Sequence, residues 1–129
     1  MKLRYTILYV EDVAASLDFY ATAFGIRRRM LHDSGDYGEL DTGATTLSFS
    51  SRRLMAELGK APGRADPAAP VFEIAFETGD VAAAHARAIA AGAENVQEPQ
   101  DMPWGQTTAY VRDPDGFLVE LCSPVGAQP

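Results

Sequence analysis

Residues 3–10, LRYTILYV, alternate in character and are rich in β-branched and aromatic side chains, a pattern that predicts a strand. The period then lengthens from two toward four. Asp12 is a good helix N-cap, Val13, Leu17, Tyr20 and Phe24 recur at helical spacing, and Gly25 suits the left-handed residue that ends a helix. Three short strand-like runs follow, IRRRMLH, YGELDT and TTLSFSS, separated by Asp33-Ser34-Gly35-Asp36 and by Gly43, all turn formers. The first half therefore reads β-α-β-β-β.

Residues 59–70, GKAPGRADPAAP, have no period and read as a linker. The pattern then restarts. VFEIAFET reads as a strand, Asp80 as an N-cap, Val81 to Ala91 as an Ala-rich helix closed by Gly92, and AENVQEP, GQTTAYVR and FLVELCS as three further strands. DPDG at 113–116 is a strong turn signal, with proline second and glycine fourth. The halves are related by offset: Asp12-Val13 aligns with Asp80-Val81 at 68 residues, pairing Tyr5 with Glu73, and Leu47-Ser48-Phe49 aligns with Val119-Glu120-Leu121 at 72. The expected organisation is a first module at 1–58, a linker at 59–70 and a second module at 71–129, together one domain. Each half alone leaves one sheet face bare, so the two are expected to pack and form a pseudo-symmetric cleft.

Alternation along the strands separates a greasy face from a polar one. Phe72, Ile74 and Phe76, with Leu47, Phe49, Val119 and Leu121, form the face expected beneath the helices. Ser48, Glu73 and Glu120 fall on the other, and the repeat adds Tyr5. That face is either ordinary wet sheet surface or the wall of a cleft; aromatic and aliphatic residues on it favour the cleft.

The charge balance is 11 basic against 18 acidic side chains, a formal −7, which leaves no excess of Lys and Arg to neutralise phosphates. No apolar run approaches the roughly 20 residues that a bilayer crossing needs, and there is no basic-then-apolar leader. With one cysteine, Cys122, the expectation is a cytoplasmic protein without disulfides that binds neither nucleic acid nor membrane.

The paired β-α-β-β-β pattern, the opening YTILYVEDVAASLDFYATAFG and the closing TTAYVRDPDGFLVEL together resemble the vicinal oxygen chelate superfamily of glyoxalases, extradiol dioxygenases, fosfomycin-modifying enzymes and bleomycin-resistance proteins. The resemblance implies an α+β fold: two βαβββ modules forming a curved, cleft-bearing mixed sheet with helices on the outer face. It also implies a small-molecule ligand and a homodimer. Metal-using members place one ligand on the first strand and one on the last strand of each module, positions that match Tyr5, Ser48, Glu73 and Glu120 here. Only Glu120 is a usual ligand type at its place. The two histidines, His32 and His85, match none of the four positions and are read as structural or solvated.

The expected site is therefore a metal-free, cofactor-free cleft of Tyr5, Ser48, Glu73, Trp104 and Glu120, acidic and aromatic, that binds or sequesters a cationic or aromatic compound. Trp104, in the loop DMPWGQ, is either core or a stacking platform. Arg112 is read as a salt-bridge partner and Cys122 as inert. The competing reading is a lyase, isomerase or dioxygenase that uses Glu73 and Glu120 as acid and base, or with a hard divalent cation.

Overall fold

In the computed structural model, which describes residues 1–126, the chain divides into two compact units, Met1–Arg64 and the chain from Ala65 onward. The first contains β1 (Tyr5–Val10), α1 (Val13–Phe24), β2 (Arg28–Leu31), β3 (Tyr37–Leu40), β4 (Thr46–Ser51) and α2 (Arg52–Glu57). Its four strands are ordered β1-β4-β3-β2, with β1 parallel to β4 and the other pairs antiparallel.

Helix α1 is bounded as its sequence dictates. The Asp12 carboxylate accepts from the Ala15 N–H at 3.1 Å, satisfying one of the orphan amides of the first turn. At the other end Gly25 takes φ +70°, and its N–H returns to the Ala21 carbonyl. The helix buries Val13, Leu17, Tyr20 and Ala23 against a sheet face carrying Leu8, Val10, Leu40, Leu47 and Phe49. Tyr20 meets Phe49 edge-on at 5.0 Å between centroids. Full burial of one such side chain contributes about 1.5–3 kcal/mol, so this face holds the unit together. At Gly38 the helix comes so close that an added Cβ would lie 2.6 Å from Leu17 Cδ1.

The second unit contains β5 (Ile74–Glu77), α3 (Val81–Ala90), β6 (Glu94–Asp101), β7 (Thr107–Arg112) and β8 (Leu118–Cys122), in the sheet order β5-β8-β7-β6. It repeats the parallel and antiparallel pairings of the first unit. Asp80 caps α3 by accepting from the Ala83 N–H at 3.0 Å. The predicted turn at 113–116 is closed by Gly116 N–H to Asp113 O, while the buried Asp113 carboxylate accepts from the amides of Asp115 and Phe117. The architecture is α+β, two βαβββ modules, each a four-stranded mixed sheet with a long helix on one face.

Ladder register gives the repeat a physical form. In the first sheet Ser48 lies between Ile7 and Glu39; in the second Glu120 lies between Ala75 and Tyr110. Ile7 with Ala75 and Ser48 with Glu120 reproduce the sequence offsets of 68 and 72.

Two expectations change. The pattern did not announce α2, which is too short to show a period; the Ser51 hydroxyl caps it by accepting from the Leu54 N–H at 3.0 Å, and Met55 is buried. Phe72, expected beneath the helix, is 44% exposed. The paired part of β5 begins only at Ile74, and the Phe72 ring instead packs edge-to-face on Phe117 at 5.9 Å.

Candidate ligand site

On the second sheet, the face away from α3 is lined from β5 by Ala75 and Glu77, from β8 by Glu120 and Cys122, and from β7 by Thr108 and Tyr110. Glu73, just before β5, joins them. The Tyr110 hydroxyl donates to Glu120 Oε1 at 2.6 Å, and the Glu73 carboxyl lies close enough to Glu120 for the two to perturb each other's ionisation. Two carboxyls so close cannot both ionise freely. Glu73 is exposed along its outer edge, yet partial burial of its carboxyl is the largest cause of a raised pKa. The nearby Glu120 carboxyl and its charge add to it, and the Tyr110 hydroxyl opposes it. The Tyr110 phenol is pushed strongly upward, first by its hydrogen bond to Glu120, then by burial and the neighbouring carboxylate charges. Burial and the Glu120 charge also raise the Cys122 thiol, which disfavours the nucleophilic thiolate.

The first sheet carries a smaller counterpart. Tyr37 donates to Glu39 Oε2 at 2.7 Å, and Arg29 approaches the other Glu39 oxygen at 3.7 Å. The Tyr37 phenol is raised by burial first and by Glu39 next, with Ser48 opposing. Tyr5 is 47% exposed and adds a small repulsion to Tyr37 ionisation. Ser48 has the register the repeat requires but is wholly buried beneath its larger neighbours, with Oγ 3.5 Å from the Thr6 carbonyl.

Of the sequence-derived residues, Glu73 and Glu120 come together in the second unit, while Tyr5 and Ser48 share the strand pair β1–β4 in the first. Trp104 stands apart from the carboxyls, in the turn between β6 and β7; it is 54% exposed and its Nε1 donates to Gln106 Oε1 at 2.7 Å. Tyr37, Glu39 and Tyr110 were missed by the sequence reading. Their signal was present as alternation along YGEL and TTAYVR, but it acquires meaning only once β3 and β7 are paired with β4 and β8. Arg112 pairs with Glu94 at 3.4 Å and donates to the Pro67 carbonyl, a salt-bridge role as expected. His85, buried in α3, shares a 2.7 Å hydrogen bond with Asn95, and His32 bonds with Ser34 in the turn after β2.

The donor set fits a transition metal poorly. Among the described residues no three His, Cys, Asp or Glu side chains are grouped to hold an ion. Both histidines are engaged elsewhere, and Glu120 already accepts the Tyr110 hydroxyl. Imidazole, the donor that zinc, nickel and iron favour beside carboxylate, is missing from these positions.

The profile of the Glyoxalase/Bleomycin resistance protein/Dioxygenase superfamily matches residues 2–121. The chain belongs to that superfamily. A lactoylglutathione lyase of Neisseria meningitidis serogroup A is 32% identical over 132 residues, covering 94% of this chain and 89% of that protein. Among solved structures, a glyoxalase-related enzyme from Fulvimarina pelagi superposes with a TM-score of 0.82 at 24% identity, covering 98% of this chain and 94% of its own. A superfamily enzyme from Burkholderia phytofirmans PsJN gives 0.82 at 21% identity, covering 95% and 98%. At these identities the two superpositions speak for the fold. No helix among the described residues is long and apolar enough to cross a membrane.

Proposed function

We propose that the protein is a metal-independent member of the superfamily that binds a small organic ligand, with the carboxyl pair Glu73–Glu120 and the Tyr110 hydroxyl as its polar anchor. The 2.6 Å Tyr110–Glu120 hydrogen bond carries this reading, because it orients one carboxylate while Glu73 supplies a second acceptor beside it. Such a group favours ligands that are cationic or donate hydrogen bonds. A thermal-shift screen of organic cations tests it: ligand at one hundred times its dissociation constant adds about 2.7 kcal/mol to stability. Hits whose shifts are unchanged in Glu73→Gln and Glu120→Gln sink the site.

A second reading is supported by the lactoylglutathione lyase relatives and by the carboxyl pair itself. A carboxyl of raised pKa beside a second carboxyl suits general acid and base catalysis, so the protein would be a lyase or isomerase. Lactoylglutathione formation and cleavage, assayed with and without added zinc or nickel, separate the two. Turnover lost in Glu120→Gln supports the enzyme.

The assembly we propose is a homodimer. Tyr5 and Ile7 of β1 and Met30 of β2 leave 47%, 44% and 36% of their surfaces uncovered on the first sheet, apolar area that a second copy would bury. Sedimentation showing monomer alone at micromolar concentration removes the claim.

A further inference from the structure

Two Asp-Pro turns meet in the second unit. In residues 66–69, DPAA, the Ala69 N–H returns to the Asp66 carbonyl at 3.0 Å and the Asp66 carboxylate accepts from the Ala68 N–H at 2.9 Å. In residues 113–116 the same two bonds run from Gly116 to the Asp113 carbonyl and from Asp115 to the Asp113 carboxylate. The turns touch at Gly116, where a Cβ would lie 3.1 Å from Pro67 Cγ and 3.6 Å from the Ala65 carbonyl. Arg112 fastens the contact. Its Nη2 donates to the Pro67 carbonyl at 2.8 Å, and its Nη1 faces Glu94 at 3.4 Å. The Arg112 side chain is 23% exposed and that of Glu94 70%, so the charge-assisted bond to Pro67 is the stronger of the two.

This contact lies on the way to Glu73. In the sheet β8 separates β7 from β5, so the chain that leaves Arg112 for the start of β5 crosses the beginning of β8. It touches the hairpin again there, through the edge-on contact of Phe72 with Phe117. Ladder pairing of β5 begins only with Ile74 opposite Val119, which leaves Glu73 outside the ladder, two residues before the Ala75 that pairs with Glu120. The segment before Glu73 therefore holds it. The turn at 66–69 takes up slack, Pro67 and Pro70 stiffen the chain, and Arg112 and Phe117 anchor it at two points.

We propose that Arg112 is a positioning residue: by holding the Pro67 carbonyl it docks residues 65–72 on the β7–β8 hairpin, and so sets how close Glu73 comes to Glu120. Its use to a ligand rests on the binding reading above; the placement of Glu73 does not.

The two ways in which Arg112 could act on Glu73 have opposite signs. If it acted only as a nearby cation, its removal would raise the Glu73 pKa; if it acts as an anchor, its removal lets Glu73 move away from Glu120 into water and lowers that pKa. The experiment follows the Glu73 carboxyl carbon by NMR against pH in the full chain, assigned by its loss in Glu73→Gln. Overhauser contacts from Pro67 to Gly116 and from Phe72 to Phe117 are read in the same samples. In Arg112→Met, which keeps an unbranched apolar stem, both contacts weaken and the Glu73 midpoint moves to lower pH, while the Ala109–Leu121 ladder contact persists and marks an intact sheet. Arg112→Lys still offers the Pro67 carbonyl a charged donor and lies nearer the wild type. Phe72→Ala changes no charge and moves the midpoint in the same direction as Arg112→Met. A midpoint that rises or stays in Arg112→Met, or contacts that persist there, overturns the positioning role. No ligand enters this experiment, so its failure strikes that role alone, whereas an empty thermal-shift screen strikes the binding reading alone.

Discussion

Tyr110 and Glu120 face each other across the β7–β8 ladder, and the phenol donates to the carboxylate at 2.6 Å. Ionising that phenol would remove the donor and set two negative oxygens side by side. Its pKa is therefore raised, and of the five tyrosines Tyr110 is expected among the last to titrate. Ultraviolet absorbance followed to high pH checks this. In Glu120→Gln the Tyr110 transition moves down; an unchanged titration curve removes the pairing.

The Glu73–Glu120 pair makes stability depend on pH in a definite direction. A carboxyl whose folded pKa is raised binds its proton more tightly in the native state, so its contribution is greatest in acid and is lost as pH rises from the unfolded value through the folded one. Glu73→Gln removes that loss. The variant is expected to melt above the wild type at pH 7, with the gap closing as pH falls below the ordinary glutamate range. A variant that melts below the wild type at pH 7 contradicts the repulsion.

Cation binding at this pair carries the same titration with the opposite preference. Affinity for an organic cation is expected to strengthen as pH rises through the raised Glu73 pKa and the second negative charge appears. Calorimetric titrations at several pH values check it, and a flat profile places the cation elsewhere.

Of the glycines, Gly38 has the least room for a side chain. A Cβ there meets Leu17 Cδ1 at 2.6 Å, Val13 Cγ1 at 3.0 Å and the Met30 carbonyl at 3.2 Å, and both side chains are buried. Gly38→Ala is expected to destabilise by about 1–3 kcal/mol, the usual cost of overpacking. Gly63→Ala meets nothing within 4 Å and serves as the control, expected within about 0.5 kcal/mol. Chemical denaturation of the two variants reads the difference.

Metal uptake is the sharpest division between the two functional readings. Protein stripped and then dialysed against zinc, nickel or iron is expected to retain much less than one ion per chain, because no imidazole joins Glu73 and Glu120. Elemental analysis near one ion per chain, lost in Glu120→Ala, would promote the enzyme.

Sequence alone was enough for the features that depend on neighbours along the chain. Asp12 and Asp80 mark helix starts because a short carboxylate reaches an amide three residues on, and Gly25 marks a helix end because it tolerates a positive φ. Alternation assigned Glu73 and Glu120 to one face, and the offsets of 68 and 72 reappear as ladder partners. What depended on pairing between strands was decided by the tertiary structure. Tyr110 and Tyr37 became hydrogen-bond donors to carboxylates only when register carried them there, and Ser48 was buried by taller side chains on the adjacent strands β1 and β3. Trp104 was fixed by Gln106 and the end of β8, and Phe72 left the helix-facing set because β5 pairs only from Ile74. Caps and periods are local, whereas register is a property of two strands at once; the residues beside a carboxylate are set by a partner strand that its own sequence does not name.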